Sequence, residues 1–225
     1  LEQDARTLEE FYHHEGFFDA RVEKGRAVAA GKLVVTFYIQ EGARAKVSEV
    51  VLQGNNAFSR ARLQQVLHLS FGVPFSLSRV KAGTRTLLDF YLNSGYPFVS
   101  VQDSVERQDT LVVVRYIIEE GPRCYIKDVR VRGNRTVRGA TILRTLEIRP
   151  GEVFSCRRLE EAQRRVYAMK IFPRVLFYVV RDSFALDSVL VRFDVMEGAQ
   201  QGVALGAGVE TPPTRVLFSI EWEHN

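Results

Sequence analysis

Hydrophobic and polar residues alternate along the chain in short segments, with a period of two in some and about 3.6 in others. In residues 43–121 this pattern predicts a strand, two helices and two further strands. Residues 111–118 form a nearly continuous apolar run, which is typical of a central strand. The pattern predicts an α+β fold in which two helices cover one face of a three-stranded mixed sheet. The expected sheet order is first, third, second strand, and the second strand is an open edge.

The same pattern is repeated along the chain. A Glu-Gly pair ends at Gly42, Gly121 and Gly198, with intervals of 121 − 42 = 79 and 198 − 121 = 77 residues. A Gly-Asn pair, Gly54-Asn55 and Gly133-Asn134, recurs with the same offset of 79 and is expected to form turns. A period this long indicates a string of small domains, each with its own core. Residues 43–121 and 122–198 are predicted to be complete domains, in which the elements follow the order β-α-α-β-β along the chain. Residues 1–42 match only the second helix and the last two strands of such a domain.

The character of the chain changes after residue 198. Residues 199–225 alternate small or polar residues with aliphatic and aromatic ones on both sides of a Thr-Pro-Pro-Thr turn. This pattern is typical of membrane-barrel strands and predicts the first hairpin of a transmembrane β-barrel. One hairpin cannot close a barrel, which needs about eight strands or more, so we expect the remainder to lie outside this sequence.

Charge is distributed unevenly. The 225 residues are 46% hydrophobic and 26% charged, as in globular domains, and the net charge is +4. Residues 122–198 alone carry 16 − 9 = +7. Two interpretations are open for this block: a solvated basic face, and a contact with anionic headgroups or an acidic accessory protein. We expect no nucleic-acid partner, because interleaved aromatic residues and a recognition helix are missing. The candidate contact residues are Arg130, Arg132, Arg135, Arg138, Arg157, Arg158, Arg164 and Arg165.

Catalytic chemistry finds no support in the sequence. The four histidines have no cysteine or carboxylate at metal-ligand spacing, and no phosphate-binding loop or nucleophile elbow is present. Glu41, Glu120 and Glu197 recur, but each precedes a glycine at a strand end, which favours a structural role in a turn. We therefore predict no catalytic residue, no metal site and no cofactor.

The repeat length, the Glu-Gly and Gly-Asn pairs, the Gly-Tyr-Pro after the second helix and the glycine-rich hairpin together resemble POTRA domains that lead into a sixteen-stranded outer-membrane barrel. Such domains occur in the BamA and TamA superfamily of β-barrel assembly proteins. The resemblance implies a non-enzymatic receptor arm on the periplasmic side of the outer membrane of a Gram-negative-type cell. Its implied partners are unfolded outer-membrane β-barrel proteins, periplasmic accessory proteins or lipoproteins, and the membrane through the barrel. A receptor arm of a two-partner secretion or related translocation pore is the alternative, although that family typically has two POTRA units.

An edge strand suits a receptor for many clients, because backbone groups can pair with an added strand of almost any sequence. The second strand of the complete domain, residues 98–107, is the candidate. An alternative is that Asp103, Glu106 and Arg107 are charges that keep this edge unpaired. Leu88, Tyr91 and Leu92 on the neighbouring helix could add an apolar groove. The predicted client-binding residues of the strand are Phe98, Val99, Ser100, Val101, Gln102, Asp103, Ser104 and Val105.

A disulfide between Cys124 and Cys156 is a further possibility. The predicted topology brings the start of the first strand near the start of the second helix, and the periplasm is oxidising. The equivalent positions in the preceding domain are Ala45 and Leu77, so the repeat gives this pairing no support.

Overall fold

The structure is a computed structural model that describes residues 1–67, 71–183, 185–198, 203–210 and 215–222, the last two ranges for their backbone only. Helices and strands follow one another in the predicted order. The helices are α1 (Glu2–His14), α2 (Arg60–Leu67), α3 (Leu77–Leu92), α4 (Gly139–Leu146) and α5 (Cys156–Tyr167). The strands are β1 (Arg21–Ala29), β2 (Lys32–Gln40), β3 (Lys46–Gln53), β4 (Ser100–Gln108), β5 (Leu111–Glu119), β6 (Tyr125–Arg132), β7 (Arg174–Arg181), β8 (Ser188–Met196), β9 (Val203–Glu210) and β10 (Arg215–Trp222).

Two three-stranded sheets have the orders β3-β5-β4 and β6-β8-β7. In the first sheet β3 is parallel and β4 antiparallel to β5, so the predicted order of first, third and second strand is confirmed. The strand boundaries differ slightly from the prediction. Phe98 and Val99 precede β4, which begins at Ser100, because the turn after α3 continues through Phe98. The preceding strands β1 and β2 form a separate antiparallel pair.

Each three-stranded sheet buries one face. Alternate residues of the central strand β5 are buried, from Val112 to Ile118, and they pack with Leu63 of α2 and Leu87 of α3. The strand β8 alternates in the same way, with Val189 to Val195 at every second position. The residues on the opposite face of each central strand are half-buried or exposed, as the period of two in the sequence predicts.

A short extended segment covers part of the β3 edge. Residues 72–75 pair with residues 45–47: the Val47 N–H donates to the Val73 carbonyl at 2.9 Å, and the Phe75 N–H donates to the Ala45 carbonyl at 2.9 Å. The next domain repeats this arrangement, with the Ile126 N–H 2.8 Å from the Glu152 carbonyl. This pairing was not predicted. It leaves β4 as the more exposed edge of the first sheet.

The hairpin that follows the repeats is present as an antiparallel pair, β9 and β10, in register from Arg215 opposite Glu210 to Trp222 opposite Val203. Its predicted turn at residues 211–214 lies outside the described residues, and its assignment to a barrel stays a prediction. Among the described helices, none combines the length and the apolar character that crossing a membrane requires.

The possible disulfide is not formed: Cys124 and Cys156 are both free. The Cys124 side chain is buried, and its sulfur lies 3.4 Å from the Pro122 carbonyl and 3.6 Å from the Leu186 carbonyl. Burial raises the pKa of this thiol. Cys124 therefore acts as a small core residue, as Ala45 does at the equivalent position, where it is also buried.

Candidate functional site

The candidate site is the free edge of β4. Val101 and Val105 are half-buried against the core, while Gln102 and Ser104 between them are exposed. Within the described part of the chain, β5 is the only strand paired with β4. An edge strand of this kind presents unpaired backbone N–H and C=O groups to solvent.

Asp103 lies on the inner side of β4 and fastens the strand to α3. Its carboxylate accepts hydrogen bonds from Lys81 Nζ at 2.8 Å and from Thr84 Oγ1 at 2.8 Å, and its side chain is only 8% exposed. Burial acts to raise the pKa of Asp103, but the hydrogen bonds from Lys81 and Thr84 outweigh it and hold the pKa below its ordinary value. Asp103 is thus an anchor of β4 on α3, and its charge does not project from the edge as the gatekeeper alternative supposed.

Arg107 is also occupied. Its guanidinium donates to both carboxylate oxygens of Asp19, at 2.8 and 3.0 Å, and lies 5.1 Å from the centre of the Phe18 ring. The end of β4 is therefore tied to the segment that follows α1. Glu106 remains exposed, with its carboxylate 3.8 Å from Arg115. Of the three charges considered as gatekeepers, only Glu106 projects from the strand.

Tyr91 does not line an apolar groove beside β4, although the sequence had suggested one. This residue is fully buried, and its ring packs edge-on against Phe58 and Tyr96. Its hydroxyl donates to Glu120 Oε1 at 2.8 Å. Burial, followed by this hydrogen bond, raises the pKa of Tyr91. Leu88 and Leu92 are half-buried and pack against the same core, so no groove is formed by these three residues.

The glutamate of the Glu-Gly pair has a structural role. In the last domain the Glu197 carboxylate accepts hydrogen bonds from the backbone N–H groups of Arg135, Thr136 and Val137, at 2.8 to 3.0 Å. In the domain before it, the Glu120 carboxylate accepts from the Ala57 N–H at 2.9 Å. Each carboxylate thus closes the loop that follows its Gly-Asn pair. The sequence signal for this contact was that the Glu-Gly and the Gly-Asn pairs recur together.

We expect the loop around Thr136 to loosen in acid. The three backbone hydrogen bonds, Val137 first, lower the pKa of Glu197 to about 2 from 4.5. Because the folded-state pKa is depressed, its contribution is complete above about pH 4.5 and is lost as the pH falls through about 2. An NMR titration of the Thr136 amide should show a transition near pH 2 that is absent in Glu197→Gln. A transition near pH 4.5 in the unmodified chain would contradict this assignment.

The eight arginines of the basic block have different environments. Arg165 is half-buried and donates to the carbonyls of Thr145 and Leu146, so it caps the end of α4 and is not available to a partner. Arg130 forms an ion pair with Asp128 at 2.8 Å and stays largely exposed. The remaining six are exposed: Arg132 on β6, Arg135 in the following loop, Arg138 at the start of α4, and Arg157, Arg158 and Arg164 on α5.

Metal binding is not indicated. Over the ranges that the structure describes, no group of three or more His, Cys, Asp or Glu side chains could hold a metal ion.

The repeated domains match a known family. The profile of the POTRA family, described as a surface antigen variable number repeat, matches residues 45–121 and 124–198. The match covers more than half of the chain, and the chain belongs to the POTRA family. This confirms the tandem POTRA domains expected from the sequence.

Similar proteins are outer-membrane assembly factors. BamA of Neisseria meningitidis serogroup B is 23% identical over 212 residues, covering 92% of this chain and 27% of that protein. BamA of Nitratidesulfovibrio vulgaris is 25% identical over 182 residues, covering 78% of this chain and 23% of that protein. The chain therefore spans about a quarter of the length of these relatives. The crystal structure of Haemophilus influenzae BamA POTRA3-5 has a TM-score of 0.62 and 18% identity, over 87% of this chain and 80% of that one, which shows a shared fold.

Proposed function

We propose that this chain is part of the periplasmic receptor arm of an outer-membrane protein assembly machine. Its POTRA domains would bind unfolded β-barrel proteins and accessory subunits and deliver them to a barrel in the outer membrane, of which β9 and β10 would be the first hairpin. Membership of the POTRA family and similarity to BamA proteins support this proposal.

Strand addition at β4 is the proposed mode of client binding. The observation that carries it is the asymmetry of the sheet. On the β3 side, residues 72–75 pair with the start of the strand, and the Arg60 guanidinium donates to the Val50 carbonyl at 2.9 Å. On the β4 side, Asp103 holds the strand against α3, and in the described part of the chain no second strand pairs with its outer edge. A fixed but unpaired strand can accept many different client strands with little reorganisation.

Site-specific crosslinking tests this proposal. Gln102 on β4 and Gln53 on β3 lie in one row of the sheet, both opposite Ile117, and both side chains are exposed. A photoreactive amino acid at Gln102 should crosslink a strand-length peptide from an unfolded porin several-fold more strongly than the same group at Gln53. Because the two sites share residue type and sheet row, the difference reports on the edge alone.

A scrambled peptide without alternating apolar residues provides the control for non-specific capture. Equal crosslinking at the two glutamines, or at β4 with the folded porin as well as with the unfolded peptide, would count against strand addition at this edge.

A further inference from the structure

The face of the sheet β6-β8-β7 that lies opposite its buried residues, here called the outer face of the last domain, combines exposed apolar and basic side chains. Tyr178 is 41% exposed, Val180 45% and Met196 52%. The Arg192 guanidinium lies 4.8 Å from the centre of the Tyr178 ring. A groove on this face is lined by residues that include Arg174, Leu176, Tyr178, Asp194 and Met196. A contiguous group of exposed apolar side chains with polar residues around it marks an interaction site more often than singly scattered ones do.

The strand β6 adds further positive charge to this face. In the preceding domain Val51 lies beside Arg115, and Gln53 beside Ile117. The repeat offset of 79 places Arg130 and Arg132 at the positions of Val51 and Gln53. Both arginines are exposed, while Ile126 and Val129 of the same strand are buried in the core. Arg130 and Arg132 therefore belong to the outer face, on its β6 side.

The preceding domain supplies an internal comparison, because the equivalent face of β3-β5-β4 has a different character. The repeat replaces Gln102 with Tyr178, Ser104 with Val180 and Glu119 with Met196. The earlier face carries Glu49, Glu106 and Glu119 against the single Arg115. The later face carries Arg130, Arg132, Arg174 and Arg192 against Asp128 and Asp194. Exposed apolar residues occur on both faces, since Leu111 and Ile117 are exposed on the earlier one, but the charge changes from acidic in one copy to basic in the next.

We propose that the outer face of the last domain binds an anionic lipid surface. The arginines would lie at the level of the headgroup phosphates, while Tyr178, Val180 and Met196 would enter the boundary with the acyl chains. Tyrosine and arginine side chains are well suited to this interface, since each carries an apolar portion and a polar end. The proposal rests on the proposed function, because the strand β8 leads through Glu197 and Gly198 toward the hairpin assigned there to the membrane.

An acidic protein is the other class of partner that this chemistry could suit. The sequence position of the face favours lipid, because Met196 is separated from the start of β9 at Val203 by six residues.

Vesicle flotation tests the inference. The full chain should float with vesicles of phosphatidylcholine containing 30% phosphatidylglycerol, and not with phosphatidylcholine alone. Higher salt should weaken the binding, because the attraction between arginines and headgroups is screened. The double variant Arg130→Gln, Arg132→Gln should bind about thirtyfold more weakly, given the usual contribution of each arginine near an anionic membrane. The fold should tolerate these changes, since the preceding domain carries Val51 and Gln53 at the same positions.

The matched control is Arg144→Gln, Arg164→Gln. It removes the same charge from exposed residues of α4 and α5, on the helix side of the domain. Its binding should stay within about twofold of the unmodified chain. Tyr178→Gln, Val180→Ser introduces the residues of the preceding domain and should weaken the part of the binding that survives high salt.

Equal flotation with neutral and anionic vesicles would overturn the inference. So would an equal loss in the two arginine variants, which would indicate a general effect of net charge and not of one face. Crosslinking of client peptide at Gln102 is scored without vesicles, so failure of this inference and failure of the proposed function are distinguishable.

Discussion

Replacing Gly133 with alanine is expected to destabilise the last domain by about 2–5 kcal/mol. Gly133 has φ +88°, and a Cβ at this position would lie 2.0 Å from the carbonyl oxygen of Val195. The left-handed φ alone costs about 1–2 kcal/mol for a residue with a Cβ. The clash adds a cost typical of overpacking, about 1–3 kcal/mol, because the obstacle is the backbone of the central strand and cannot rotate away. Such a loss is a large part of the stability of a small domain.

Gly151→Ala provides the control for this prediction. Its φ is also +88°, but a Cβ there would meet nothing within 4 Å, so only the conformational cost of about 1–2 kcal/mol applies. Hydrogen exchange of the amides of β6 and β8 in urea measures the stability of this domain separately. Equal losses for the two variants would show that close approach to Val195 is unimportant. The same contrast is expected in the preceding domain between Gly54, 2.0 Å from the Ile118 carbonyl oxygen, and Gly72, which is unobstructed.

The sheet order could be predicted because it depends on features that the sequence displays directly. Two consecutive helices return the chain to the end of the domain where the first strand finished. The second strand then runs in the opposite direction to the first, and the third strand runs parallel to the first. The apolar run at residues 111–118 identified the central strand, and the alternation of Val101 and Val105 with polar residues identified an exposed one. Both features survive in the structure because burial on one face fixes strand register.

The cover over β3 could not be predicted in the same way. Residues 72–75 make their backbone hydrogen bonds in a segment too short to show a period, and Pro74 lies within it. The inward position of Asp103 was available from its spacing to Val101 and Val105, but a carboxylate on a buried face is expected only if partners are known. Lys81 and Thr84 of α3 supply those partners. The helix α3 and the strand β4 are brought together only by packing.

The burial of Tyr91 shows a second limit. Helical periodicity placed it on the apolar side of α3, but whether it faces the flank or the centre depends on the loop after Gly54-Asn55. That loop positions Phe58 against the ring and brings Glu120 to the hydroxyl. Contacts between a loop and a helix carry no period in the sequence, so the aromatic cluster emerged only from the structure.

Gly83→Ala is expected to destabilise the domain formed by residues 43–121 by about 1–3 kcal/mol. The same exchange normally stabilises a helix interior by about 1 kcal/mol. A Cβ on Gly83 would lie 2.3 Å from the Tyr116 hydroxyl and 3.1 Å from Leu67. The hydroxyl cannot move aside freely, since it is buried and donates to the Val80 carbonyl at 3.1 Å. The glycine therefore makes room for a tyrosine beneath α3.

The last domain indicates how this cost can be removed. At the repeat offsets of 79 and 77, Gly83 corresponds to Ala162 and Tyr116 to Phe193, and both of these residues are fully buried. The middle copy thus combines a glycine with the hydroxyl of a tyrosine. The last copy combines the methyl group of an alanine with a phenylalanine, which has no hydroxyl. The double variant Gly83→Ala, Tyr116→Phe should accordingly be more stable than Gly83→Ala alone, even though Tyr116→Phe by itself loses a hydrogen bond and about 1 kcal/mol. Urea unfolding of the four chains of this cycle gives the coupling energy, and simple additivity of the two single changes would refute the exchange of volume proposed between α3 and β5.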